Sequence, residues 1–95
     1  MIYERIRTLR EQNGMTQSEL ARKLDVTRSS VNAWESGLST PTTQYVVALT
    51  RLFHVSADYL LGTEPEYRLS LIGYTDEEIQ LITQLVQYFD KTREK

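Results

Sequence analysis

Four side chains in the run TRSSVNAWESG, Thr27 to Gly37, have the types and spacing needed to read the edges of nucleic-acid bases. Arg28, Ser29, Asn32 and Ala33 share one face of any helix drawn through them, because residues four apart lie above one another. The Arg28 guanidinium can donate two parallel hydrogen bonds to guanine O6 and N7. The Asn32 carboxamide can make the equivalent pair with adenine. Ser29 bonds in either direction, and Ala33 offers a methyl to thymine. Gln17 and Thr27 stand at the starts of two short helical runs, where side chains and unpaired backbone N–H groups suit phosphate. Each residue also has a plainer reading. An exposed arginine or asparagine is often only solvated, glutamine is a good helix former, and alanine is often filler.

Those side chains work only if two helices hold them at a fixed angle. Ile2, Ile6 and Leu9 recur at helical spacing and predict a first helix over 2–12, stopped by Asn13-Gly14. Thr16 and Glu19 have the spacing of a capping box, so a second helix is predicted over 17–24 with Leu20, Ala21 and Leu24 inward. Asp25-Val26 breaks the chain, Thr27 caps a third helix over 28–36, and Gly37 ends it. Val31 and Trp34 are its inward anchors. Two helices joined by so short a turn make a helix-turn-helix. Ala21 is the small residue such a crossing needs, and Val26 the apolar residue in its turn. Thr40-Pro41 reads as a cap followed by proline at the first helical position, opening a fourth helix over 42–53. Ser56 caps a fifth over 57–61, and Gly62 closes it. Thr63-Glu64-Pro65-Glu66 reads as a linker. Alternation over 67–71 gives a weak strand signal. Thr75 and Glu78 form another capping box, ahead of a sixth helix over 76–91.

Composition bounds the chemistry. Ninety-five residues make one small domain with a short appendage. The sequence holds no cysteine and one histidine, so it offers no thiol nucleophile, no disulfide and no histidine-rich metal site. No nucleophile–base pair or phosphate loop is visible, which argues against an enzyme and implies no cofactor. No apolar run reaches the roughly 18 residues of a membrane span, and the charged N-terminus is no signal peptide, so a cytoplasmic protein without membrane contact is expected. The net charge is −2. Residues 1–64 hold seven Lys/Arg and seven Asp/Glu, while residues 65–95 hold four and six. The acidic balance therefore belongs to the tail. A neutral N-terminal part can still hold phosphate with backbone amides and a few local cations.

From Ile6 to Gly62 the chain resembles the lambda-repressor-like, Cro/C1-type helix-turn-helix domain of bacterial and phage transcription regulators. The residues that carry the resemblance are IRTLREQNGMTQSELARKLDVTRSSVNAWESGLSTPT and the closing VSADYLLG. It implies an all-α, five-helix domain that binds operator DNA, usually as a dimer on inverted half-sites. It places phosphate contacts at Gln17, Thr27 and Ser36, and base contacts at Arg28, Ser29, Asn32 and Ala33. The chain departs from the family at Asp25, where glycine is common. Aspartate tolerates the left-handed conformation, so the turn is expected to survive with some strain. Ala33 also departs, where many relatives carry a longer polar side chain.

The remaining residues divide between packing and association. Trp34 reads as core, and Glu35 as a structural carboxylate paired with an arginine such as Arg10. His54 reads as a surface or hydrogen-bonded histidine rather than a ligand. Arg22 and Lys23 either face solvent or reach flanking phosphates. The division expected is a DNA-binding unit over 1–62 and a linker with an oligomerisation segment over 63–95. In the sixth helix Ile79, Ile82, Leu85, Val86 and Phe89 form part of an apolar face wider than a surface helix requires. That face predicts a homodimer interface, and double-stranded DNA is the other expected partner. The reading is a repressor on an inverted-repeat operator. The alternative is a protein-interaction module, such as an antitoxin or adaptor, whose last helix engages another protein.

Overall fold

The computed structural model describes residues 1–63 and 69–93. Six helices are found there: α1 (Ile2–Gln12), α2 (Gln17–Leu24), α3 (Arg28–Ser36), α4 (Thr43–Phe53), α5 (Ala57–Leu61) and α6 (Asp76–Arg93). Ile6, Leu9, Leu20, Ala21, Val31, Trp34, Leu49, Phe53, Val55 and Leu60 close one buried core among the first five. Trp34 packs there with its ring 5.5 Å from that of Tyr45.

Local chemistry sets most of the boundaries. The Thr16 hydroxyl accepts from the Glu19 N–H at 3.1 Å, and the Glu19 carboxylate accepts from the Thr16 N–H at 3.1 Å. That reciprocal pair starts α2. The Thr16 backbone and side-chain hydrogen bonds hold the Glu19 carboxyl below the usual glutamate range. The stabilisation they give is present above that range and fades as pH falls through the lowered value. Thr27 and Ser56 cap α3 and α5 through side-chain oxygens. Thr75 and Glu78 repeat the capping box before α6. One start differs from expectation. Thr42, not Thr40, is the N-cap of α4, and it makes no side-chain cap bond. Thr42 is extended at ψ 165°, so no helix can run from Pro41 through it. Pro41 lies outside the helix and is buried. At the other end, α6 runs to Arg93, two residues further than periodicity predicts.

The turn between α2 and α3 is tight. Asp25 adopts the left-handed conformation, φ 57° and ψ 46°. Its N–H reaches the Arg22 carbonyl, and the Val26 N–H reaches the Ala21 carbonyl at 2.9 Å. These are the two bonds of a Schellman termination, which favours glycine at the position of Asp25. Asp25→Gly is expected to stabilise the fold by about 0.5 kcal/mol, and Asp25→Ala to destabilise it by about 1 kcal/mol, as relief of left-handed strain outweighs added chain entropy. Urea midpoints of the two variants check the signs.

Among the described residues, the C-terminal segment meets the five-helix part around His54 and Val55. Val55 and Leu69 form an isolated antiparallel bridge. The Ser70 N–H donates to the His54 carbonyl at 2.7 Å, and Tyr74 Oη shares a 2.9 Å hydrogen bond with His54 Nε2. The strand expected over 67–71 is thus a single bridge at Leu69, with residues 67 and 68 outside the described residues, as is linker segment 64–66. Beyond Tyr74, α6 buries no residue completely. Ile79 and Ile82 are half-buried, while Leu85, Val86 and Phe89 are 53%, 52% and 46% exposed.

Candidate nucleic-acid interface

Helix α3 is two-faced. Val31, Trp34 and Glu35 are buried, at 0%, 6% and 4% exposure. Arg28, Ser29, Asn32 and Ser36 are exposed and Ala33 is half-buried. Arg28, Ser29, Asn32, Ala33 and Leu38 line an open depression of about 230 Å³. The four residues expected to read bases are therefore gathered on one surface. Leu38, which follows the helix, joins them there.

A polar chain runs beneath that surface. Arg10 Nε donates to Glu35 Oε2 at 2.6 Å, and a terminal nitrogen of Arg10 donates to Glu35 Oε1 at 3.0 Å. The other terminal nitrogen donates to the Met15 carbonyl at 2.7 Å. Hydrogen bonding to Glu35 holds the Arg10 guanidinium above its ordinary pKa. Arg7 Nε stands 3.6 Å from the same carboxylate. Gln17 Nε2 donates to Glu35 Oε1 at 3.2 Å and to Asn32 Oδ1 at 3.3 Å. A carboxamide nitrogen has two protons, so Gln17 has committed both. The effect falls on Asn32. With its oxygen turned toward Gln17, its own amide nitrogen is left to donate outward. A carboxamide held that way can offer a donor to adenine N7 while its oxygen keeps a lone pair for the adenine amino group.

The three phosphate candidates differ in what they have left. The Gln17 side chain can donate to phosphate only by releasing Asn32 or Glu35. The backbone N–H groups of Gln17 and Ser18 have no acceptor within the first turn of α2, and they can meet an anion. Thr27 Oγ1 accepts from the Ser30 N–H and shares a 3.0 Å bond with Ser30 Oγ. When Ser30 is the donor, the Thr27 proton is available outward. Ser36 Oγ donates to the Ala33 carbonyl at 3.3 Å, so it must rotate to reach phosphate. The Arg10–Glu35 pair is the one expected from the sequence, whereas the Gln17–Asn32 bond has no counterpart among the expectations. The residues lie 15 apart on different helices, and nothing local signals their meeting.

The family described as Helix-turn-helix matches residues 6–60, more than half of the chain. The chain belongs to the Cro/C1-type helix-turn-helix family. It is 37% identical over 62 residues to the HTH-type transcriptional regulator YobD of Bacillus subtilis (strain 168), covering 65% of this chain and 55% of that protein. The chain spans about half the length of the curated relatives it matches. Among solved structures it is similar to the P22 c2 repressor in complex with a synthetic operator, at 28% identity and TM-score 0.63, covering 67% of this chain and 97% of that one. It is also similar to a chain of the SinR–SinI protein complex, at 26% identity and TM-score 0.62, over 98% of this chain and 95% of that one. This second likeness takes in α6 as well as the five-helix part of this Cro/C1-type protein. No helix among the described residues is long and apolar enough to cross a membrane.

Proposed function

We propose that this protein is a sequence-specific, double-stranded-DNA-binding transcriptional regulator that represses from an inverted-repeat operator as a homodimer. The observation that carries the reading is the division of α3. Arg28, Ser29, Asn32 and Ala33 lie together on its outer face, while Val31, Trp34 and Glu35 lock its inner face. A helix held that way can enter a major groove without rearranging. Residues 1–62 act as the DNA-binding unit, with α3 reading bases. The N-termini of α2 and α3, with Gln17, Thr27 and Ser36, hold phosphates. Residues 63–95 act as linker and oligomerisation segment. The likeness to an operator-bound repressor supports the DNA partner. The mechanism is occupancy of the operator, in the cytoplasm and without a cofactor or catalytic step.

The α6 face supports the dimer. Leu81, Leu85, Val86, Tyr88 and Phe89 are each 46% exposed or more, an apolar surface that the described residues leave largely open. A two-fold axis through it would put two α3 helices on opposite half-sites. Selection of the purified protein against a randomised duplex library at about 0.15 M salt tests the whole reading. An enriched inverted repeat is the expected result. A single half-site would remove the dimer, and no enrichment would remove autonomous DNA binding. Leu85→Glu with Phe89→Glu is expected to give a monomer by sedimentation, with operator affinity reduced more than tenfold and a cooperative melting transition that no longer depends on protein concentration. A protein-interaction reading has its own support in the likeness to a chain complexed with another protein. There α6 would engage a different protein, and the double variant would lose that partner while single-half-site binding persisted.

A further inference from the structure

We propose that Leu38 reads sequence, by packing its side chain on a thymine methyl at the edge of each half-site. The inference rests on the DNA-binding reading of α3. Helices α2 and α3 end the same way. The Val26 N–H reaches back to the Ala21 carbonyl, and the Leu38 N–H reaches back to the Ala33 carbonyl. Asp25 and Gly37 hold the left-handed positions just before them. In this termination the residue after the left-handed one commonly tucks an apolar side chain against the last turn of its helix. Val26 does so and packs on the core. Val55 follows left-handed His54 after α4 in the same way, and it is 2% exposed. Leu38 does not. It is 81% exposed, so the helix end makes little use of its side chain.

A single exposed leucine needs no explanation by itself. The surroundings of this one set it apart. It closes the depression that Arg28, Ser29, Asn32 and Ala33 otherwise line. Three of those residues offer hydrogen bonds, and Ala33 offers only a methyl. Leu38 and Ala33 together give the depression one apolar side. In the major groove the apolar feature is the thymine C5-methyl. A branched side chain has the reach that Ala33 lacks, and burying a methyl against it releases water from both. The other apolar surface within reach of a groove-edge leucine is deoxyribose, which carries no sequence information. The two contacts are separable by chemistry, because uracil lacks only the methyl.

The test uses the full chain and the duplex recovered from the randomised library. Each thymine of the half-site is replaced by deoxyuridine in turn, and affinities are measured for the native protein and for Leu38→Ala. The expected result is one thymine per half-site whose replacement weakens the native protein roughly fourfold, the effect of one buried methyl. In Leu38→Ala that thymine-to-uracil ratio falls to about one, while the ratio at every other position stays as it was. A purely structural role would lower affinity for both duplexes equally and leave the ratio intact, which overturns the proposal. A flat response of the native protein to every uracil also overturns it, and points to sugar contact or none. Retention of the fourfold ratio in Leu38→Ala assigns the methyl to Ala33 and overturns it as well. Thermal melting confirms that the variant is folded. If the library yields no duplex, the DNA-binding reading itself fails, a different result from an enriched duplex that ignores its methyls.

Discussion

Glu35→Ala is expected to remove about 3–5 kcal/mol of stability, the usual effect of leaving one member of a buried ion pair without its partner. The size follows from the burial. The Glu35 side chain is 1% exposed and that of Arg10 is 12% exposed, with two direct hydrogen bonds between them. Without the carboxylate, the guanidinium stays charged, desolvated and short of two acceptors. Small domains have a total stability of about 5–15 kcal/mol, so most of the margin is at stake. Urea titration at neutral pH is the check. A loss under 1 kcal/mol would mean that water reaches Arg10 readily and that the pair is a surface bridge in energetic terms. The companion variant replaces both partners by methionine, Arg10→Met with Glu35→Met. It is expected to regain much of the loss, because an apolar pair of similar volume carries no desolvation cost. It does not restore the acceptor for Gln17. The double variant therefore separates what the pair does for the fold from what it does for the outer face of α3.

That separation shows where the sequence is informative. Capping boxes at Thr16/Glu19 and Thr75/Glu78, caps at Thr27 and Ser56, and the left-handed positions of Asp25 and Gly37 all depend on neighbours within a few residues. Their chemistry is readable in the chain, and the structure has them where they are expected. The inward Val31 and Trp34 are equally legible, because helical periodicity sorts faces. Thr40-Pro41 misleads for a physical reason. Proline is favoured both inside a first turn and just before a helix, and an extended Thr42 decides between them only in the folded chain. Three contacts lay beyond sequence reasoning: Gln17 with Asn32, His54 with Tyr74, and the place of Leu38 in the α3 depression. The first two join residues from different segments, so nothing in the local pattern marks them. Leu38 lies just past the end of α3, but its exposure at a helix end that commonly tucks an apolar side chain inward appears only in the folded chain. The candidate base readers were legible as residue types, and the carboxamide orientation of Asn32 was not.

Arg28→Ala and Asn32→Ala are each expected to weaken operator binding roughly tenfold to a hundredfold, the discrimination lost with one bidentate base contact. The two should differ in everything else. Asn32 carries no charge, so Asn32→Ala leaves affinity for random duplex and its salt dependence unchanged, and it relaxes preference at one adenine. Gln17→Ala is expected to act at that same adenine, more weakly, because it frees the Asn32 carboxamide to turn over. Arg28 carries a charge that the proposed reading brings close to the phosphates, so Arg28→Ala is also expected to lower non-specific affinity and flatten the salt slope by up to about one unit. Its effect on the fold has the opposite sign. Arg28 is the first residue of α3, at the positive end of the helix dipole, where a cation is unfavourable by about 0.3–1 kcal/mol. Removing it is expected to raise stability slightly while binding collapses. A residue kept against the preference of its own helix has its justification outside the fold. Parallel losses of stability and binding in Arg28→Ala would instead make it a structural residue, and the reading of this face would then rest on Asn32 and Ser29. Urea titrations paired with operator and random-duplex affinities at two salt concentrations decide between these cases.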